Sequence, residues 1–385
     1  MRNKKIPIII LTICLLYAAF YCCERKEVRA DELSDTVQDE INNLDLDGLN
    51  DFFDGTETGD YDFLSAFRNL VAGKYDGADG FFEYIKKVLF SEITTLMPIF
   101  ISVIAVALLY EIVQNFKSGY LSSNVKTVIK FASVLTVILL LSPSFIIIWN
   151  KTKNLIENIG KFSEIMSPII LTLMVASGGT ASAAVYKPSV VFFTGAIVYV
   201  FYSLVLPLIG IITVFNIAAH FSKEIRLKRF SDFFGGILKW IFGIVITVYG
   251  LFITVQGITV SASDGISAKI AKYAVSNSVP IVGGLIREGL DVVAAGSIVI
   301  KNALGVAGLI GVFYFLLSPV IHMIVFSVFL KLAAAVCDVF AGDTVPEFLS
   351  TLSKSINYLI ASVLTVALMA FLTVMLMVFS ANSVI

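Results

Sequence analysis

Charge is scarce in this chain: Asp, Glu, Lys and Arg make up 15% of its 385 residues, against about a quarter in an ordinary soluble domain. So little charge cannot cover a conventional water-soluble protein of this length. Cysteine is scarcer still, with four residues, and Cys14, Cys22 and Cys23 crowd beside an N-terminal apolar run. Cys337 stands alone in the body, so neither a disulfide framework nor a zinc pattern can be built. The histidines, His220 and His322, are isolated, which argues against a metal cluster. GxxxxGK[ST], HExxH and GxSxG are all missing, so no phosphate-cradling loop, zinc hydrolase or nucleophile elbow is expected. No catalytic, cofactor-binding or metal-binding residue is assigned, and a net charge of −1 gives no reason to expect nucleic acid.

What the chain has in abundance is apolar length. Hydrophobic residues reach 57%, with a mean hydropathy of +0.89. Ile93–Tyr110, Phe131–Trp149, Ile165–Tyr186, Pro188–Ser222, Trp240–Ser263, Asn302–Leu330 and Ser355–Ile385 carry no Asp, Glu, Lys or Arg. A helix rises 1.5 Å per residue, so roughly 20 apolar residues cross a hydrocarbon core about 30 Å thick. The expected fold class is all-α: a polytopic transmembrane protein of about six to eight membrane helices with interrupted or re-entrant segments, plus a small helical extracytoplasmic N-terminal domain.

Residues 1–30 read as a signal peptide or an N-terminal anchor. Arg2, Lys4 and Lys5 precede the apolar stretch Ile6–Tyr21, in the order of a secretory signal. Residues 31–90 follow as an acidic segment placed outside the cytoplasm; Glu24–Glu92 holds 18 acidic residues against 7 basic ones. Within it, Asp35–Phe53 suggests a short amphipathic helix, and Phe63–Ala72 and Phe81–Phe90 two more, with Gly80 as a break. Asp45, Asp47 and Asp51 lack the glycine and terminal glutamate of a calcium loop, so they read as a solvated face.

Residues 91–260 read as a first transmembrane bundle, oriented by its basic loops. Positive charge stays cytoplasmic in short loops, which puts Lys117, Lys126 and Lys130 inside. The strongest basic loop, residues 220–239 with Lys223, Arg226, Lys228, Arg229 and Lys239, is also inside. An odd number of crossings must then separate Trp149 from His220, yet two apolar runs lie between them. Ile165–Tyr186 is the suspect, because Pro168, Gly178 and Gly179 interrupt it. It is either a broken or re-entrant segment or a plain helix whose small residues pack on a neighbour.

Residues 261–305 mix apolar positions with charge and are broken by Pro280, Gly283 and Gly284. They fit two amphipathic helices at the membrane interface, or an interrupted transporter segment. Residues 306–385 read as the C-terminal transmembrane helices. Asn302–Leu330 is long for one crossing and short for two, and a hairpin bent near Ser318-Pro319 would use its length. Asp338–Lys354 reads as a polar loop. Lys331 and Asp338, seven residues apart, share a helix face near His322; Lys331 either faces the bundle interior or snorkels to an interface. Pro280, Gly283, Gly284, Lys301, Asn302, Lys331 and Asp338 are the candidate packing or path-lining residues.

The stretch from Lys272 to Gly284 (KYAVSNSVPIVGG), followed by Asp291-Val292-Val293 and by Lys301-Asn302-Ala303-Leu304-Gly305, resembles the stage III sporulation protein AE family of endospore-forming bacteria. The likeness extends to the signal-like start, the acidic segment and the basic loop midway. It implies a membrane subunit of a secretion-like channel complex in the mother-cell membrane around the forespore. The implied partners are the other stage III sporulation A proteins and, across the intermembrane space, stage II sporulation protein Q. No catalytic residue comes with the resemblance.

Overall fold

The computed structural model describes residue 44 and residues 46–56, 61–73, 78–115, 123–220, 227–278, 283–340 and 344–380. Every element there is helical. Lipid offers no partner to a backbone N–H or C=O, and a helix satisfies both within the segment. Among the described residues, six helices are long and apolar enough to cross a membrane, with spans at Phe81–Leu109, Phe131–Ala176, Thr180–Ala219, Leu227–Gln256, Val292–Val339 and Thr344–Phe379. Pro98, Pro143, Pro168, Pro188 and Pro319 all lie inside helices.

Two short helices come first, α1 (Asp47–Asp54) and α2 (Phe63–Val71). Asp62 caps α2, its carboxylate accepting from the Ser65 N–H at 3.1 Å and from the Ser65 hydroxyl at 2.6 Å. These bonds, the hydroxyl one foremost, favour the ionised form and hold the Asp62 carboxyl below its usual range. The cap therefore contributes fully above the ordinary aspartate range and fades as pH falls through the lowered value. Asp62→Ala should loosen α2 by about 1 kcal/mol at neutral pH. Amide hydrogen exchange in α2 checks this, and unchanged protection would contradict it.

The described part of the acidic segment, expected as a small helical N-terminal domain, packs directly on the bundle. Both short helices lie on the bundle through their aromatic residues, and Leu49, Phe53, Phe63 and Phe67 are fully buried. Phe53 stacks on Phe63 at 5.0 Å, Phe52 meets Phe315 edge-on at 5.9 Å, and Tyr61 stacks on Tyr314 at 5.1 Å. The Tyr61 hydroxyl donates to the Ala307 carbonyl at 2.5 Å. Leu46 and Leu49 also face inward, whereas Val37 and Ile41 of the expected amphipathic helix lie outside the described residues.

The long helices are α3 (Ala78–Asn115), α4 (Ser123–Ala176), α5 (Thr180–Val200), α6 (Leu206–Ala219), α7 (Leu227–Ser278), α8 (Gly283–Phe340) and α9 (Thr344–Phe379). Gly80 breaks nothing: Phe81–Phe90 is the first part of α3. A π-turn, Phe201–Val205, joins α5 to α6 in one spanning segment, with the Leu206 N–H reaching the Phe201 carbonyl. Pro207, which has no N–H to donate, follows directly, and the wide turn absorbs that missing bond.

Ile165–Tyr186 is neither a re-entrant loop nor one helix. It is the tip of a helical hairpin. Gly178 takes φ of 90°, Gly179 donates to Met174 at 2.8 Å and Gly178 to Val175 at 3.0 Å, closing α4 as a Schellman motif. The run thus divides between the end of α4 and the start of α5, and the crossing count agrees with the basic loops.

The hairpin at Ser318-Pro319 does not form either, because α8 runs unbroken through Pro319. Nor is Asp338–Lys354 a loop: helix extends to Phe340 and resumes at Thr344. Residues 261–305, expected as two amphipathic helices at the interface or as an interrupted transporter segment, form the end of α7 and the start of α8, and residues 279–282 lie outside the described set. In each case a helix continues through charge because its backbone bonds do not depend on which side chain points outward.

Buried share singles out the centre: 56% for the α8 window and 50% for α9, against 22% for α3 and 17% for α7. Around that centre the helices are staggered. Glu92, one residue before the uncharged run of α3, lies beside His322, about twenty residues into the uncharged run of α8. Thr152 of α4, just past its own run, meets Met323 at 3.6 Å. The uncharged runs of α3 and α4 are therefore offset along the bundle from that of α8 and overlap only its far part, where Phe100 meets Phe326 and Phe329.

Candidate functional site

Lys301 is fully buried, and its Nζ donates to the Ser380 carbonyl at 2.5 Å. Ser380 follows the last residue of α9, where unpaired carbonyls gather partial negative charge, and an amino group suits that end. The Ser380 hydroxyl donates to the Leu376 carbonyl at 2.7 Å. Its only proton being used there, it accepts from the Tyr186 hydroxyl, 2.9 Å away. One residue thus ties α5, α8 and α9 together at the end of the bundle. One turn along α8 from Lys301, Gly305 lets the helices touch: a Cβ there would sit 2.2 Å from a Val378 methyl.

A second polar locus lies deeper. His322 Nδ1 and Glu92 Oε2 are 2.5 Å apart, with side chains 9% and 15% exposed. His322 Nε2 is buried and has no partner among the described residues. Aromatic layers bracket the pair, Phe81 with Phe313 on one side and Phe100 with Phe326 and Phe329 on the other. Ionisable groups at such depth are costly and persist where they pair or face a bundle interior.

Further bonds join helix to helix. Ser327 reaches Ser353 at 3.0 Å and donates to Asn357 at 2.8 Å. Tyr249 meets Thr373 at 2.6 Å and donates to the Met369 carbonyl, and Gln256 donates to Ser189 at 2.7 Å. Helices in lipid lack a hydrophobic force between them, so hydroxyl bonds and close glycine contacts hold the bundle. At the basic end, Lys228 pairs with Glu347 at 2.6 Å across exposed surface and ties α7 to α9.

Of the residues selected from sequence, Lys301 is the buried tie and Asn302 is half-buried beside it. Gly283 and Gly284 open α8, while Pro280 lies outside the described residues. Lys331 and Asp338 do share a face, and it is an exposed one; neither reaches His322. Glu92 was missed. It lies 230 residues from His322 in sequence, and its one signal is its place as the last charge before an uncharged run. The glycines at 305, 308 and 311, three apart, were also legible: Gly308 admits Met166 and Phe162, and Gly311 admits Phe53 and Tyr61.

A family model described as Stage III sporulation protein AE (spore_III_AE) matches residues 61–381. A curated relative, the stage III sporulation protein AE of Bacillus subtilis (strain 168), is 24% identical over 303 residues, covering 78% of this chain and 76% of that one. No solved structure matches the chain significantly.

Proposed function

Because the chain belongs to the stage III sporulation protein AE family, we propose that it is a multi-pass membrane subunit of the stage III sporulation A secretion-like channel complex linking mother cell and forespore. In this reading it resides in the mother-cell membrane around the forespore and is required for forespore development after engulfment. It works beside the other stage III sporulation A proteins and reaches stage II sporulation protein Q indirectly, across the intermembrane space. It performs no catalysis of its own, and a partner supplies the energy.

The observation that carries the reading is the extent of the family match, residues 61–381, which takes in all six apolar helices. The interior supports a subunit over an independent permease. Several of its buried polar groups, Lys301, Tyr249 and Ser327 among them, are used in ties between helices.

Deleting the chain from an endospore former should arrest development after engulfment. A tagged full-length chain from sporulating cells should co-purify with other stage III sporulation A proteins. A deletion strain that sporulates at the parental frequency contradicts the proposal.

A further inference from the structure

Opposite flanks of the bundle differ at one and the same level. Where Gly311 of α8 meets Phe53, the side built by α1, α3 and α4 is charged. Asp51 and Asp54 of α1, Glu83 and Lys86 of α3, and Lys161 and Glu164 of α4 are all exposed there. Phe81 against Phe313, and Phe52 against Phe162 and Phe315, fix these helices at that level. Across the bundle, α5 and α7 reach the same level. Val198 touches Gly160, and Tyr249 meets Thr373, little more than a turn from the contact of Val378 with Gly305. Their outward residues Phe192, Tyr199, Val248 and Leu251 are apolar or aromatic, and all are exposed.

About sixteen residues further along α8, roughly 24 Å, the flanks exchange character. This second level is set by Ser327 with Asn357, by Phe100 with Phe326 and Phe329, and by Thr152 with Met323. Here α3 and α4 are the apolar side, with Met97, Ile101, Ile146 and Ile147 exposed. The charged side is now α7 and α9, which expose Arg229, Asp232, Lys239, Glu347 and Lys354; Gly235 lies against Tyr358 and holds α7 at this level. An upright bundle cannot suit both levels. A flat hydrocarbon layer about 30 Å thick, placed at either one, leaves one apolar flank in water and takes the charges opposite into lipid.

We propose that the bundle lies obliquely in the bilayer, so that one lipid layer covers α5 and α7 at the first level and α3 and α4 at the second. Charge bounds each belt where that layer should end: Lys187 on α5, Lys239 on α7, Glu92 on α3 and Lys151 on α4. An inclined helix needs a longer apolar stretch than an upright one. Between Lys187 and His220, and between Lys301 and Lys331, no Asp, Glu, Lys or Arg interrupts the chain. Each stretch is roughly 45 Å long, half as much again as an upright crossing requires. The inclination lifts α1 and the second half of α4 into water on the outer side and lowers the basic end of α7 into water on the inner side. The inference stands apart from the sporulation reading, since it rests on packing and exposure alone.

Four single cysteines test it in the full-length chain, with Cys14, Cys22, Cys23 and Cys337 replaced. Lys161→Cys and Leu251→Cys share the first level, and Ile146→Cys and Arg229→Cys the second. In intact cells a membrane-impermeant maleimide should label 161, should label 229 only after permeabilisation, and should leave 251 and 146 unlabelled throughout. Bimane attached to the purified variants should lose its emission at 251 and 146 in vesicles of phospholipid brominated along the acyl chains, and keep it at 161 and 229. Val248→Cys and Ile101→Cys repeat the two apolar positions should either variant fail to accumulate.

Three results overturn the proposal. Labelling of 251 from outside, or of 146 from inside, stands that end of the bundle in water on every side and sets the bundle upright. Lipid quenching at 161 or 229 puts a charged flank in the hydrocarbon. A position 251 or 146 that is neither labelled nor quenched assigns that belt to a protein partner instead of lipid.

Discussion

His322→Leu should weaken the bundle by about 3–5 kcal/mol, because it leaves the Glu92 carboxylate largely buried without its partner. Glu92→Leu should do comparable harm from the other side. The double variant, Glu92→Leu with His322→Leu, should recover most of the loss, since it leaves neither group buried without its partner. Unfolding of the purified chain in mixed micelles with rising SDS reads all three. Losses that simply add, with no recovery in the double variant, would show that the two groups do not act as a pair.

The second large effect comes from a single methyl group. Gly305→Ala places a carbon 2.2 Å from Val378, closer than side chains pack, so α8 and α9 must part where Lys301 joins them. Overpacking of this kind costs about 1–3 kcal/mol, and here the displaced helix also carries the Ser380 carbonyl away from Lys301. Val378→Ala removes the obstructing methyl groups, so the pair Gly305→Ala, Val378→Ala should be milder than Gly305→Ala alone. The same SDS titration gives the coupling, and a Gly305→Ala protein as stable as the parent would mean that α8 and α9 do not touch there. Gly311→Ala, pressed against Phe53 at 2.4 Å, should instead detach α1 and leave the bundle standing.

Much of this architecture could be read from hydropathy. The runs Ile93–Tyr110, Phe131–Trp149, Pro188–Ser222, Trp240–Ser263, Asn302–Leu330 and Ser355–Ile385 each supply a spanning helix, because a segment that must satisfy its backbone in lipid has one way to do so. Helix ends were harder. Lys151, Lys153, Glu157, Lys161 and Glu164 separate two uncharged runs, yet α4 passes through all of them as one helix. Ser318-Pro319 looks like a bend, yet proline inside a packed membrane helix need not end it.

The polar interior divides in the same way. Lys301 was visible as a lone charge at the edge of an uncharged run, and it proved to tie α8 to the end of α9 through the Ser380 carbonyl. The Glu92–His322 contact was not visible. Pairing across 230 residues depends on how far α3 slides along α8, and that stagger is decided by glycine and aromatic contacts whose partners lie on other helices. The packing of Phe52, Phe53, Phe63 and Phe67 was hidden for a related reason: nothing in the acidic segment's own sequence says which residues of the long helices they meet. Phe52 and Phe53 meet Phe162 and Phe315 of the bundle, and Phe63 and Phe67 stack on Phe53 and on each other.

Six crossings among the described residues, with the turn at Gly178 on one side of the membrane and the basic loop on the other, are best tested by labelling two positions in intact cells. Thr180→Cys and Arg229→Cys are both exposed sites, introduced singly into a cysteine-free chain. A membrane-impermeant maleimide should label position 180 from outside and position 229 only after the membrane is permeabilised. Labelling of both positions from the same side would contradict the arrangement.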